Sequence, residues 1–206
     1  SVKDPGSYTH FIGWGAGSNA KSLGSNNIFL GRSAGNYVNG GAQNILIGYI
    51  AGQYIRTSKN IVIGEEAHKS GQGNQNIAIG YQALKGNADS SETFIGPRHG
   101  HNIAIGLQAG LNANSGSFNV IIGNEAGKTV LDGEDNVFVG YYAGRFATGS
   151  YNTFMGYEAG YGASSAPYSS GGSNTGVGYN ALKDFTTGHS NAAFGHTALA
   201  NLTTGE

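Results

Sequence analysis

One short motif recurs along almost the whole chain, and its period limits the folds available. The motif is Asn-φ-φ-φ-Gly-x-x-Ala-(Gly/Leu), where φ is apolar. Its central glycines are Gly13, Gly31, Gly48, Gly64, Gly80, Gly96, Gly106, Gly123, Gly140, Gly156, Gly178 and Gly195. Nine of the eleven intervals are about 16 to 18 residues, too short for helix-pair repeats, which need more than about 30. Such a period suits one solenoid coil, expected as two short strands and two turns. Apolar segments such as Asn76-Ile-Ala-Ile-Gly80 and Asn119-Val-Ile-Ile-Gly123 read as strands closed by Gly. Recurrent Gly argues against helix. The chain is therefore read as one all-β repeat domain over residues 1–206, a parallel β-solenoid of about twelve coils.

Positions are numbered here from the central Gly of each coil, position 0. Position −4 is Asn in ten of twelve copies, Thr9 and Glu92 being the exceptions, and position +3 is Ala in eleven, His99 being the exception. A second Gly stands at −7 in nine copies, and Gly205 matches the opening of a further coil, so the natural chain is expected to continue past residue 206. Asn is a turn former whose amide can bond backbone or a stacked Asn. The Gly columns are expected to need positive φ or close backbone approach, and the Ala column a small inward-facing residue.

Positions −3 and −1 share one strand face, and −2 points the other way. The −1 column is large and apolar throughout, from Ile12 and Leu30 to Val177 and Phe194, and is assigned with −3 to the solenoid core. Position −2 holds Phe11, Phe29, Leu46, Val62, Phe94, Ile121, Phe138 and Phe154, with Ala or Gly in the other four coils and nothing polar. A strand apolar on both faces is buried on both. The side chains of position −2 are therefore assigned to an interface between parallel copies of the chain, a homotrimer, with a dimer left open.

Composition narrows the function classes. Gly makes up 37 of 206 residues, charged residues are 11% and hydrophobic residues 38%, a profile unlike that of a charged, apolar-poor disordered segment. A net charge of −1 gives no electrostatic reason for a nucleic-acid or anionic-membrane partner. No apolar run reaches the roughly 18 residues of a membrane span, and the first residues, Ser1 to Ser7, lack the features of a signal peptide. Cysteine is absent, which removes thiol nucleophiles and suits an extracellular fibre.

The segments Asn76-Ile-Ala-Ile-Gly-Tyr-Gln-Ala83 and Asn102-Ile-Ala-Ile-Gly-Leu-Gln-Ala109 resemble the head repeats of trimeric autotransporter adhesins. The stretch from Gly178 to Asn191 is similar to repeats of phage tail fibres and related bacterial fibres. The resemblance covers residues 9 to 205. It implies a left-handed β-roll in a homotrimeric fibre at a cell surface or on a virion, although the adhesin repeat is nearer fourteen residues. The expected function is structural and adhesive, with a cell-surface glycan or other receptor as ligand and no enzymatic activity. The alternatives are an ice-binding solenoid, which needs a Thr ladder, and a polysaccharide-degrading solenoid, which needs clustered carboxylates.

Three features are candidate sites. Trp14, Tyr49, Tyr81, Tyr141, Tyr157 and Tyr179 occupy position +1, with Tyr142 adjacent, and would form a partial aromatic ladder. Such a ladder is either a platform for sugar rings or a stack that stabilises the rod. The anomalous coil at Gly96 carries His99 and His101, which share a face if extended. Six such imidazoles in a trimer would suit an axial transition metal such as iron, a role the fibre resemblance implies, and the plainer reading is an exposed His-rich turn. Residues 160–172 read as an insertion looping out of a coil, either on a binding face or as a tolerated bulge. Glu65, Glu66, Glu125 and Glu158 are expected to be solvated.

Overall fold

The computed structural model describes residues 8–70, 73–86, 100–113, 115–130 and 132–205. They form one parallel β-solenoid. Eleven three-residue strands make a single sheet, stacked in chain order: β1 (His10–Ile12), β2 (Ile28–Leu30), β3 (Ile45–Ile47), β4 (Ile61–Ile63), β5 (Ile77–Ile79), β6 (Ile103–Ile105), β7 (Val120–Ile122), β8 (Val137–Val139), β9 (Thr153–Met155), β10 (Thr175–Val177) and β11 (Ala192–Phe194). Every pairing aligns like positions, for example Phe138 with Phe154 and Ile45 with Ile61. Ten parallel steps of about 4.8 Å give a sheet roughly 48 Å long.

Two expectations are corrected. Twelve coils become eleven strands, because β5 pairs directly with β6. The motif copy around Gly96 and Phe94 lies outside the described residues. Each coil also has one strand rather than two. Positions +2 and +4 are in the left-handed backbone region in every coil, as at Tyr142 (φ 59) and Gly144 (φ 58), so the chain cannot stay extended there. Backbone bonds between coils continue through the turns: the Gly144 N–H donates to the Ala159 carbonyl (2.9 Å) and the Phe146 N–H to that of Tyr161 (2.9 Å).

The asparagines of position −4 are buried from Asn27 to Asn174 and half-buried at Asn191, and they form a continuous ladder. From Asn44 to Asn191, each Asn backbone N–H donates to the side-chain Oδ1 of the Asn one coil earlier, at 2.9–3.0 Å. The carboxamide nitrogen donates both ways. Asn119 reaches the Asn102 Oδ1 (3.1 Å) and the Gly133 carbonyl in the following coil (2.9 Å). The Gly columns pack as tightly. A Cβ on Gly31 (φ 134) would lie 2.5 Å from the Gly48 carbonyl oxygen, so position 0 needs Gly both for its φ and for space. At −7 the requirement is space alone: a Cβ on Gly133 would lie 2.6 Å from the Gly149 oxygen.

The two strand faces are the reverse of the sequence assignment. Phe29, Leu46, Val62, Ile121, Phe138 and Phe154 are fully buried within their own chain, and Phe11 packs against this core. They fill the solenoid and are not an interface between chains, while Phe94 lies outside the described residues. Positions −3 and −1 face outward. Parity gives the reason: −2 alternates in step with the buried Asn at −4, so both point inward.

Inside the coil, positions −2 and +4 share one volume. Phe11, Phe29, Phe138 and Phe154 stand with Gly17, Gly35, Gly144 and Gly160, whereas Ala78 and Gly176 stand with the buried Leu84 and Leu182. A Cβ on Gly144 would come within 2.7 Å of the Phe138 ring. Ala104 and Gly110 are both small, and the space at Gly110 is filled from above and below by Leu84 and Ile121. Leu84 and Leu182 adopt positive φ, 47 and 51, so the backbone at +4 accepts Leu. Gly144→Leu should therefore destabilise the rod by about 1–3 kcal/mol through overpacking, and Phe138→Ala by about 3–5 kcal/mol through a cavity. The double variant should recover a large part of the summed loss. Strict additivity in denaturant midpoints would show that the two positions do not share a volume.

Candidate functional site

The outward face of the sheet carries two parallel columns. Position −3 runs Ile28, Ile45, Ile61, Ile77, Ile103, Val120 and Val137 along β2 to β8, then Thr153, Thr175 and Ala192. Position −1 runs from Ile12 through Ile47 and Ile105 to Met155, Val177 and Phe194. Ile12 is 61% exposed and Phe194 69%, and the remaining aliphatics of the two columns are half-buried or exposed. Thr occurs on this face only at Thr153 and Thr175 in the described strands, so no Thr ladder of the ice-binding kind is formed among them.

Position +1 borders these columns and carries the aromatic residues. Tyr141, Tyr157, Tyr179 and His196 make one stack, with ring centroids 5.1, 5.2 and 4.9 Å apart and planes within 11°. Near the other end the Arg32 guanidinium lies between Trp14 (5.2 Å) and Tyr49 (5.5 Å). Tyr81 has Glu65 and Leu107 as its neighbours in the column. Tyr142 belongs to position +2 and covers the Arg145 guanidinium at 4.2 Å. The coil repeat nearly matches a ring-stacking distance, so the tyrosines stack on one another, with the Tyr141 hydroxyl hydrogen-bonded to Tyr142 and that of Tyr157 to Glu158. Trp14 and the five tyrosines of position +1 are 40% to 74% exposed. At roughly 200 Å² per aromatic side chain that amounts to about 600 Å².

The acidic residues after the central Gly divide into two groups. Glu65, at +1, is exposed, as expected. Glu66, Glu125 and Glu158, at +2, are not solvated but half-buried in an ion-pair ladder with cations at +5. Glu66 meets Lys69 (3.4 Å) and Lys85 (2.5 Å), Glu125 meets Lys128 (3.0 Å) and Arg145 (2.5 Å), and Glu158 meets Lys183 (2.6 Å). The spacing of +2 and +5 in successive coils is the sequence signal for this ladder. Burial pushes the Glu66 carboxyl up, but hydrogen bonds from Lys85 and Gln82 and the charges of Lys69 and Lys85 outweigh it and bring it down to about 2.

His101 sits just before Asn102, exposed, with φ 61 and its ring stacked on Phe118 at 4.9 Å. A left-handed residue breaks the extended geometry on which the shared face of His99 and His101 was argued, and His99 lies outside the described residues. The described part of the proposed axial iron site is therefore one imidazole per chain. The insertion is shorter than 160–172. Gly160 and Gly162 still bond to the next coil, donating to Ala181 and Lys183, and Ser169 rejoins the stack by pairing with Ala147. Residues 163–168 bulge outward, and the Tyr168 ring stacks on Phe146 at 5.9 Å.

The fold defines the class: a β-solenoid repeat protein with an apolar outer face. No family model matches the chain, and no curated protein or solved structure matches it either.

The depressed Glu66 carboxyl makes part of the stability acid-sensitive. Its stabilisation is complete above the ordinary value of 4.5 and is lost as pH falls towards about 2. Glu66→Gln should therefore flatten the fall in melting temperature between about pH 4.5 and 2. A variant whose melting temperature falls as steeply as that of the parent would refute this.

Proposed function

We propose that this chain is a structural and adhesive segment of a homotrimeric fibre, displayed outside the cell on a cellular or viral surface, and that it is not an enzyme. The observation that carries this reading is the outer face of the sheet. The −1 column, apolar from Ile12 to Phe194, the −3 column, aliphatic from Ile28 to Val137, and an aromatic border add up to more than the roughly 300–600 Å² patch found on soluble monomers. Three parallel copies would cover the two columns, each chain offering one column to each of its two neighbours. The interface residues are then those at −3 and −1, such as Ile45, Ile61, Ile77 and Ile105, in place of the inward-facing side chains of position −2. The resemblance to trimeric adhesin and tail-fibre repeats supports the same assembly.

The adhesive part of the proposal rests on surfaces that the trimer leaves open. The 163–168 bulge leaves the coil after position +6. The exposed aromatic residues of position +1 in the earlier coils, Trp14, Tyr49 and Tyr81, would receive a cell-surface glycan or other receptor.

Light scattering should give three times the chain mass of 21.1 kDa. Ile45→Lys combined with Ile77→Lys should dissociate the assembly while leaving each coil folded, because both side chains point outward and the core is untouched. A monomeric parent chain at micromolar concentration would sink the trimer. A glycan array tests the adhesive half separately, and absence of binding to any glycan would reduce the segment to a spacer.

A further inference from the structure

The apolar face does not run straight. Position −3 is aliphatic from Ile28 to Val137 and changes to Thr153, Thr175 and Ala192 in β9 to β11. Position +1 changes in the opposite sense at nearly the same level. In the coils of β2 to β7 it mixes Arg32, Glu65 and Asn124 with Tyr49, Tyr81 and Leu107, and from β8 onward it becomes the unbroken series Tyr141, Tyr157, Tyr179 and His196. Position −1 stays apolar throughout. The apolar stripe therefore steps sideways at β8 and β9 by two residues, about 7 Å.

We propose that the contact between chains makes the same step, using positions −3 and −1 along β2 to β8 and positions −1 and +1 along β9 to β11. This rests on the trimeric reading above. Burying Glu65 or Arg32 against a partner would leave a desolvated charge to be paired, and burying Thr175 would require a partner for its hydroxyl. The step avoids both. A contact stripe that drifts across its element makes neighbouring chains cross at an angle and wind about one another, so the three solenoids coil instead of lying parallel as straight rods.

The chain has no cysteine, so single substitutions report directly. Ile61→Cys, Thr175→Cys, Asn124→Cys and Tyr179→Cys would each be made in the full chain, its mass measured by light scattering, and its alkylation by N-ethylmaleimide timed. In a lone chain Tyr179 and Asn124 are both exposed, and Ile61 is more open than Thr175. In the stepped trimer the thiol of Tyr179→Cys should react at least tenfold more slowly than that of Asn124→Cys. The thiol of Ile61→Cys should likewise react at least tenfold more slowly than that of Thr175→Cys. A trimeric mass with any other ordering overturns the step and leaves the trimer standing. A monomeric mass overturns both.

Discussion

The fold depends on a buried column of asparagine carboxamides. A backbone that turns back on itself once per repeat presents polar groups at each strand entrance that water cannot reach. Asn answers this with one acceptor and two donors on a short stem. Its Oδ1 takes the backbone N–H of the next Asn, while its nitrogen bonds a neighbouring Oδ1 and a carbonyl at −7. Asp has no N–H to give, and Ser has a single proton and a shorter reach. A ladder repeated from coil to coil also imposes register, since a slip of one residue would leave its carboxamides unpaired in the interior.

Register in turn demands a constant coil cross-section, which explains the exchange of volume between −2 and +4. A Phe in one coil and an Ala in the next would normally alter the path of the backbone, and the hydrogen bonds between coils would stretch. Gly beside Phe and Leu beside Ala keep the filled volume nearly level, at the density of a close-packed interior. Where both are small, at Ala104 and Gly110, Leu84 and Ile121 intrude from the adjoining coils. The core is thus continuous along the axis even though each coil contacts chiefly its neighbours.

Much of this was legible before any coordinates. The period announced a solenoid, and the Asn, Ala and Gly columns were assigned roles that the structure bears out. The strand faces were not legible from hydrophobicity, because all three strand positions are apolar and alternation carries no amplitude. Parity with Asn would have decided the matter: a carboxamide ladder must be inside, and −2 moves with −4. Gly96 matched the motif, yet β5 pairs directly with β6. The interval from Gly96 to Gly106 is too short to close a coil, and together with the interval from Gly80 to Gly96 it makes one coil with an insertion. The ion pairs at +2 and +5 were missed because only the coil path, with its left-handed residues at +2 and +4, brings those side chains together.

The outer face is where folding stops dictating sequence. The ladders and the core are complete within one chain, so nothing inside the solenoid requires a large aliphatic residue at −3. Thr153 and Thr175 occupy that position in strands that pair like the others. Thr offers a comparable preference for extended backbone, yet Ile or Val fills the seven preceding coils from Ile28 to Val137. Where a fold accepts a polar residue and an unbroken series of coils keeps an apolar one, the folding of a single chain does not account for the choice. The functional reading rests on that excess of exposed aliphatic surface over what the fold itself needs, and not on any single residue.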